Sequence, residues 1–174
     1  MKRLFIAFVF ILMPSLFFAQ TAFSKFEDKA EITSVIVNKK MFQLIGDMKM
    51  DPKDKTNQQY LNMVKKLDNL KVFRTLNAKH SADMKATVDS YLKANPLQEL
   101  MRINKDGSNI KIYIKQGAAS SQVKELLMFI DGGKAETVIV SLLGTFDMSD
   151  ISVLTDKMSL PGGVELKKAA AKKQ

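Results

Sequence analysis

The clearest pattern in the chain is a strict alternation. Ile110, Ile112 and Ile114 are interleaved with Lys111, Tyr113 and Lys115. A period of two predicts a strand with one buried face and one wet face. Leu97 to Ile103 precedes it, across the turn signal Asn104-Lys105-Asp106-Gly107, so the two runs predict a hairpin. Val123 to Ile130 and Thr137 to Leu143 are more continuously apolar and flank Asp131-Gly132-Gly133-Lys134. They predict a second hairpin that supplies central strands. Ile32 to Val37 and Leu70 to Leu76 carry short β-branched and apolar runs, and each predicts a further strand.

Between these runs the period lengthens. Met41, Leu44, Ile45 and Met48 recur at helical spacing, as do Tyr60, Leu61, Val64 and Leu67. The polar, proline-containing stretch from Asp51 to Asn57 reads as the loop between them. Met84, Val88, Tyr91 and Leu92 form a third stripe, with Ser81 as its expected N-cap, Asp83 in its first turn and Asn95-Pro96 at its end. Met148, Ile151, Leu154 and Met158 form a fourth. Strands that cluster after helices indicate an α+β fold. The expectation is a single domain over 20–160, with a mainly antiparallel sheet of five or six strands covered by helices.

The two ends differ from this body. Met1-Lys2-Arg3 is followed by an unbroken apolar run from Leu4 to Met13, then Pro14-Ser15 and Leu16-Phe17-Phe18-Ala19. That order is the order of a secretory signal peptide over 1–19, cleaved after Ala19, with Ala22 the alternative point. The apolar run is half of what a spanning helix needs, roughly 20 residues, so no transmembrane span is expected after processing. Pro161-Gly162-Gly163 closes the patterned region, and 161–174 reads as a disordered, lysine-rich tail.

Charge is informative once it is located. The formal net charge is +9. Without Lys2, Arg3 and the tail lysines Lys167, Lys168, Lys172 and Lys173, 21 basic residues face 18 acidic ones. The body is therefore nearly neutral. Lysine outnumbers arginine 24 to 3, whereas nucleic-acid recognition favours arginine forks and stacking aromatics. No nucleic-acid partner is expected. The tail lysines suit at most a weak contact with an anionic membrane or polymer.

The chemistry inventory is sparse. There is no cysteine, which excludes disulfides, thiolate chemistry and a lipidated N-terminal cysteine. His80 is the only histidine, too few for a zinc or non-haem iron site. Ser81 and Asp83 sit at the same helix start, where no Ser-His-Asp relay can form. Asp47, Asp51 and Asp54 lack the glycine and closing glutamate of a calcium loop, and Lys53 and Lys55 interrupt them. Asp147 and Asp150 read as helix caps. Gly132-Gly133 lies between strands and not between a strand and a helix, so it is a turn and not a phosphate loop. Nine methionines follow the signal segment, and Met41, Met48, Met84 and Met128 fall on faces expected to be buried. No catalytic, cofactor-binding or metal-binding residue is assigned, and no cofactor is expected.

Several short runs together resemble one family. They are Phe26, Thr33-Ser34-Val35, Lys40-Met41-Phe42, Leu67-Asp68-Asn69-Leu70 with Val72-Phe73, Glu125 to Met128, Asp131-Gly132-Gly133, Val138 to Gly144 and Asp147 to Leu154. This set resembles the domain of unknown function 4252 family, uncharacterised envelope proteins of Bacteroidetes-type bacteria. The resemblance implies an envelope location and this fold, and carries no site. Many members have a lipoprotein cysteine that this chain lacks. The functional expectation is an exported periplasmic protein, a non-catalytic binding or protein-interaction module. Its partner would be an envelope protein or a small apolar ligand. The alternative is a hydrolase with a dispersed carboxylate site.

Overall fold

A computed structural model describes residues 22–172 except 52, 106 and 134. The expected signal peptide therefore lies outside the described residues. Six strands form one antiparallel sheet: β1 Thr33–Asn38, β2 Leu67–Thr75, β3 Gln98–Lys105, β4 Ser108–Gln116, β5 Gln122–Asp131 and β6 Thr137–Asp147. Their spatial order is β1-β2-β6-β5-β4-β3. The helices are α1 Lys39–Gly46, α2 Lys55–Val64, α3 Ala78–Ala94, α4 Ile151–Met158 and α5 Gly163–Lys172. Short 3-10 turns cover Ser24–Phe26 and Met148–Asp150. The α+β expectation holds, and the two most apolar strands, β5 and β6, are central as their composition implied.

Both faces of the sheet are covered, which explains why those strands show no alternation. One face presents Leu70, Val72, Ile112, Ile114, Leu126, Met128, Val138, Val140 and Leu142. On it lie α1, α2, α4 and α5, through Phe42, Met63, Ile151, Leu154 and Leu166. The other face presents Phe73, Tyr113, Leu127, Phe129 and Ile139. It is closed by Met84, Val88 and Tyr91 of α3 and by Phe23, Phe26 and Ile32 of the N-terminal segment. Buried apolar side chains of this size each contribute about 1.5–3 kcal/mol.

One glycine is required by close packing. A Cβ on Gly144 would stand 2.5 Å from the carbonyl oxygen of Lys66 and 2.8 Å from Cα of Leu67. There the chain leaving α2 presses onto β6, and Thr145 N donates to Lys66 O at 2.9 Å. The register between β2 and β6 shifts between Leu67 and Asn69. Leu67 thus opens β2 and does not continue α2.

Other boundaries move for local reasons. Asp54 accepts from the backbone N–H groups of Thr56 and Asn57 at 2.9 and 3.2 Å. This cap starts α2 at Lys55, inside the stretch expected to be a loop. Asn77, not Ser81, caps α3, accepting from Lys79 N and His80 N at 2.9 and 3.1 Å. Ser81 lies one turn inside. Asp147 and Asp150 make no side-chain cap; Lys66 draws both away, at 3.6 and 3.3 Å. The expectation of a disordered tail from 161 is corrected over 163–172. That stretch is α5, because Leu166, Ala169 and Ala170 find a buried seat on the first core. Lys167 also pairs with Asp156 on α4.

Candidate interaction surface

The strand β1 and the helix α1 are one continuous piece of chain. Asn38 ends β1 and caps α1, its Oδ1 accepting from Met41 N at 3.0 Å. Helical geometry then separates two stripes. Phe42 and Gly46 turn inward and are buried. Met41, Leu44 and Met48, at spacings of three and four, turn outward and are 50%, 60% and 54% exposed. The expectation that Met41 and Met48 are buried is corrected: Phe42 and the half-buried Ile45 fill the seat on the sheet. Met84 and Met128 are fully buried, as expected.

β1 adds two more exposed apolar side chains, Val35 at 48% and Ile36 at 43%. Val35 lies opposite Val72 and Ile36 opposite Lys71, so they project from opposite faces of the sheet. No described residue pairs with the outer edge of β1. The strand has no charge, proline or register shift between Thr33 and Asn38.

Charges frame this surface. Lys39 pairs with Asp68 at 2.8 Å, which raises the Lys39 pKa through that hydrogen bond. Lys65 pairs with Asp47 at 3.1 Å. Before the strand, the Glu31 carboxylate accepts from the Asn77 amide at 3.0 Å. Beside it a cleft of about 290 Å³ is lined by Glu31, Thr33, Arg74, Leu76, Asn77 and Glu136. Arg74 grips Glu136 with two hydrogen bonds of 2.9 and 2.7 Å.

Two buried polar groupings support the scaffold, and neither was visible in the sequence. Tyr91 donates to Glu125 at 2.5 Å. Burial pushes the Glu125 carboxyl up, opposed by the Tyr91 hydrogen bond and by the charge of Lys115. Burial also raises the Tyr91 hydroxyl. Lys71 is buried and donates to Ser24 at 3.0 Å and Glu27 at 2.8 Å. The Lys71 hydrogen bond holds Glu27 below the usual carboxylate range. Burial at β2 and at the β5–α3 contact is a long-range fact, and an isolated Lys or Glu in a strand gives no local sign of it.

The other residues weighed from the sequence are dispersed. His80, Ser81 and Asp83 follow one another along the start of α3. Asp51 accepts from Lys53 N at 2.9 Å, while Asp54 caps α2 and Asp47 is paired. No group of three or more His, Cys, Asp or Glu side chains among the described residues is placed to hold a metal ion. Gly133 takes a positive φ of 61° in the β5–β6 turn. No helix among the described residues is long and apolar enough to cross a membrane.

A family model described as a domain of unknown function (DUF4252) matches residues 26–154, from the N-terminal 3-10 turn to α4. No curated protein and no solved structure matches.

Proposed function

The chain belongs to the domain of unknown function 4252 family, and on that footing we propose that it is an exported, non-catalytic protein-interaction module of the cell envelope. Its binding face is the outer edge of β1 with the Met41-Leu44-Met48 stripe of α1. The observation that carries this reading is the clustering of apolar exposure. Among the described residues, five of the seven large hydrophobic side chains that stand in solvent lie on the one stretch from Val35 to Met48, and apolar exposure concentrated on one segment points to an interaction site. Export is supported by the charge, apolar run and small exit residue of 1–19.

The cleft beside Glu31 favours a protein partner over a small apolar ligand. Ligand pockets are mostly apolar; the cleft is lined largely by polar and charged side chains, the Arg74–Glu136 ion pair among them. A dispersed-site hydrolase would need a reachable carboxylate of perturbed pKa. Among the described residues the one carboxyl pushed upward, Glu125, is sealed beneath Tyr91, and Glu27, Glu99 and Asp131 are held low by Lys71, Arg102 and Lys85. The test is site-specific photo-crosslinking in cells that export the protein. A probe at Leu44 is expected to capture a protein, and one at Arg102 on β3 is expected to capture none. Equal labelling at both sites would overturn the reading, as would turnover of an ester, glycoside or phosphate abolished by a single carboxylate substitution.

A further inference from the structure

We infer that the outer edge of β1 is a self-pairing site, where a second copy of this chain lays its own β1 antiparallel about a twofold axis normal to the sheet. The inference rests on the interaction-module reading and supplies its occupant. An edge strand presents a row of backbone N–H and C=O groups that call for a hydrogen-bonding partner. Lipid hydrocarbon cannot satisfy them, and an extended strand does. Val35 and Ile36 stand on opposite faces, opposite Val72 and Lys71. A strand that continues the sheet covers both at once.

The order of charges selects the copy. Thr33 to Asn38 is uncharged. Glu31 precedes it, with its carboxylate bound to a neutral amide, and Lys39 and Lys40 follow it, exposed. An antiparallel partner strand must therefore carry its base where this one carries its acid, and its acid where this one carries its base. β1 of a second copy has that order. A twofold axis normal to the sheet also keeps each face continuous, so directly opposed residues share a face. Either Val35 opposes Val35 or Ile36 opposes Ile36. Glu31 and Lys39 lie just outside the strand, Glu31 in a turn with φ of 65° and Lys39 at the first residue of α1, so in either register the acidic flank of one copy meets the basic flank of the other at both ends. Two six-stranded sheets become one continuous sheet.

The experiment is sedimentation of the purified protein expressed from the full sequence, with charge-reversed variants. The expected mass is twice that of one processed chain. Glu31→Lys and Lys39→Glu each place like charges at both ends and lose the dimer, and an equimolar mixture of the two regains it as a heterodimer. Because rescue requires both chains to be folded, it separates lost pairing from lost structure. In this cysteine-free chain, Val35→Cys or Ile36→Cys, whichever lies on the twofold axis, is expected to link chain to chain on mild oxidation. Directly opposed Cβ atoms sit roughly 4.5–5.5 Å apart, within reach of a modestly adjusted disulfide. A monomer at the highest soluble concentration overturns self-pairing, and so does a dimer that survives Glu31→Lys. A monomer whose Leu44 probe still captures another protein would leave the interaction-module reading standing while self-pairing fails.

Discussion

The two edges of the sheet solve the same problem in opposite ways. β3, at one edge, is Gln98-Glu99-Leu100-Met101-Arg102-Ile103-Asn104-Lys105. Its register with β4 shifts between Glu99 and Met101, and Arg102 clamps Glu99 with hydrogen bonds of 2.9 and 2.6 Å. That clamp lowers the Glu99 carboxyl and raises the Arg102 guanidinium. A bulge and fixed charges are the standard means of refusing an added strand. β1, at the other edge, has none of these, and exposes Val35 and Ile36. The difference teaches that, among the described residues, one edge is closed by a bulge and fixed charges and the other is not. The open edge is also the one continued by a helix with an apolar stripe.

The largest effect expected of any test is at the seat of α1. Phe42 is fully buried and holds the helix against β1 and β2. Phe42→Ala is expected to cost about 3–5 kcal/mol, measured by denaturant unfolding. A loss below about 1 kcal/mol would mean that α1 is not part of the cooperative unit, and the contrast between the edges would shrink to β1 alone.

Next is the support beneath β1. Lys71, opposite Ile36, ties Ser24 and Glu27 to the sheet. Lys71→Met is expected to destabilise by about 1–3 kcal/mol at neutral pH, since it removes the charged donor that Glu27 and Ser24 share. The sign with pH follows from Glu27, whose folded pKa lies below its ordinary value of 4.5. Its contribution is complete above that value and is lost as pH falls through the folded pKa. Thermal melts from pH 6 to pH 2 should show this acid loss in the wild-type protein and a smaller one in Lys71→Met. Parallel curves would refute the assignment.

Smaller in energy is the conversion of one edge into the other. Glu99→Val with Arg102→Val removes an exposed ion pair that contributes little to stability. It should create a second sticky edge, seen as association beyond a dimer in light scattering. An unchanged mass would show that the bulge alone protects β3. Smallest in stability is Val35→Lys, expected within about 0.5 kcal/mol of the wild type because the side chain is half in solvent already. Its midpoint should hold while chain–chain association disappears; persistent association would place the contact elsewhere.

Much of this fold was legible along the chain. The alternation over 110–115 located β4, and the continuous apolar runs located the central pair β5 and β6. The helix stripes were read correctly where one face alone is buried, as at Met84, Val88 and Tyr91. Errors arose where two helical faces are both apolar. Met41, Leu44, Ile45 and Met48 looked like one core stripe, yet Phe42 takes the inward position and leaves three of the four in solvent. The tail was misread for a related reason: only the groove beside α4 turns Leu166, Ala169 and Ala170 from a weak pattern into a buried face. The proposed surface on β1 and α1 was not legible along the chain, because whether a strand is an edge depends on which strand lies beside it.

By itself the sequence determined the α+β class, the order of the elements from β1 to α4 and the poverty of reactive groups. These follow from residue type and short-range period, which act within a few positions of each residue. Only the tertiary structure decided that β1 is an edge, that Lys71 and Glu125 are buried, and that Met41 and Leu44 are exposed. Each of those depends on which segment lies across the sheet, a contact between residues tens of positions apart.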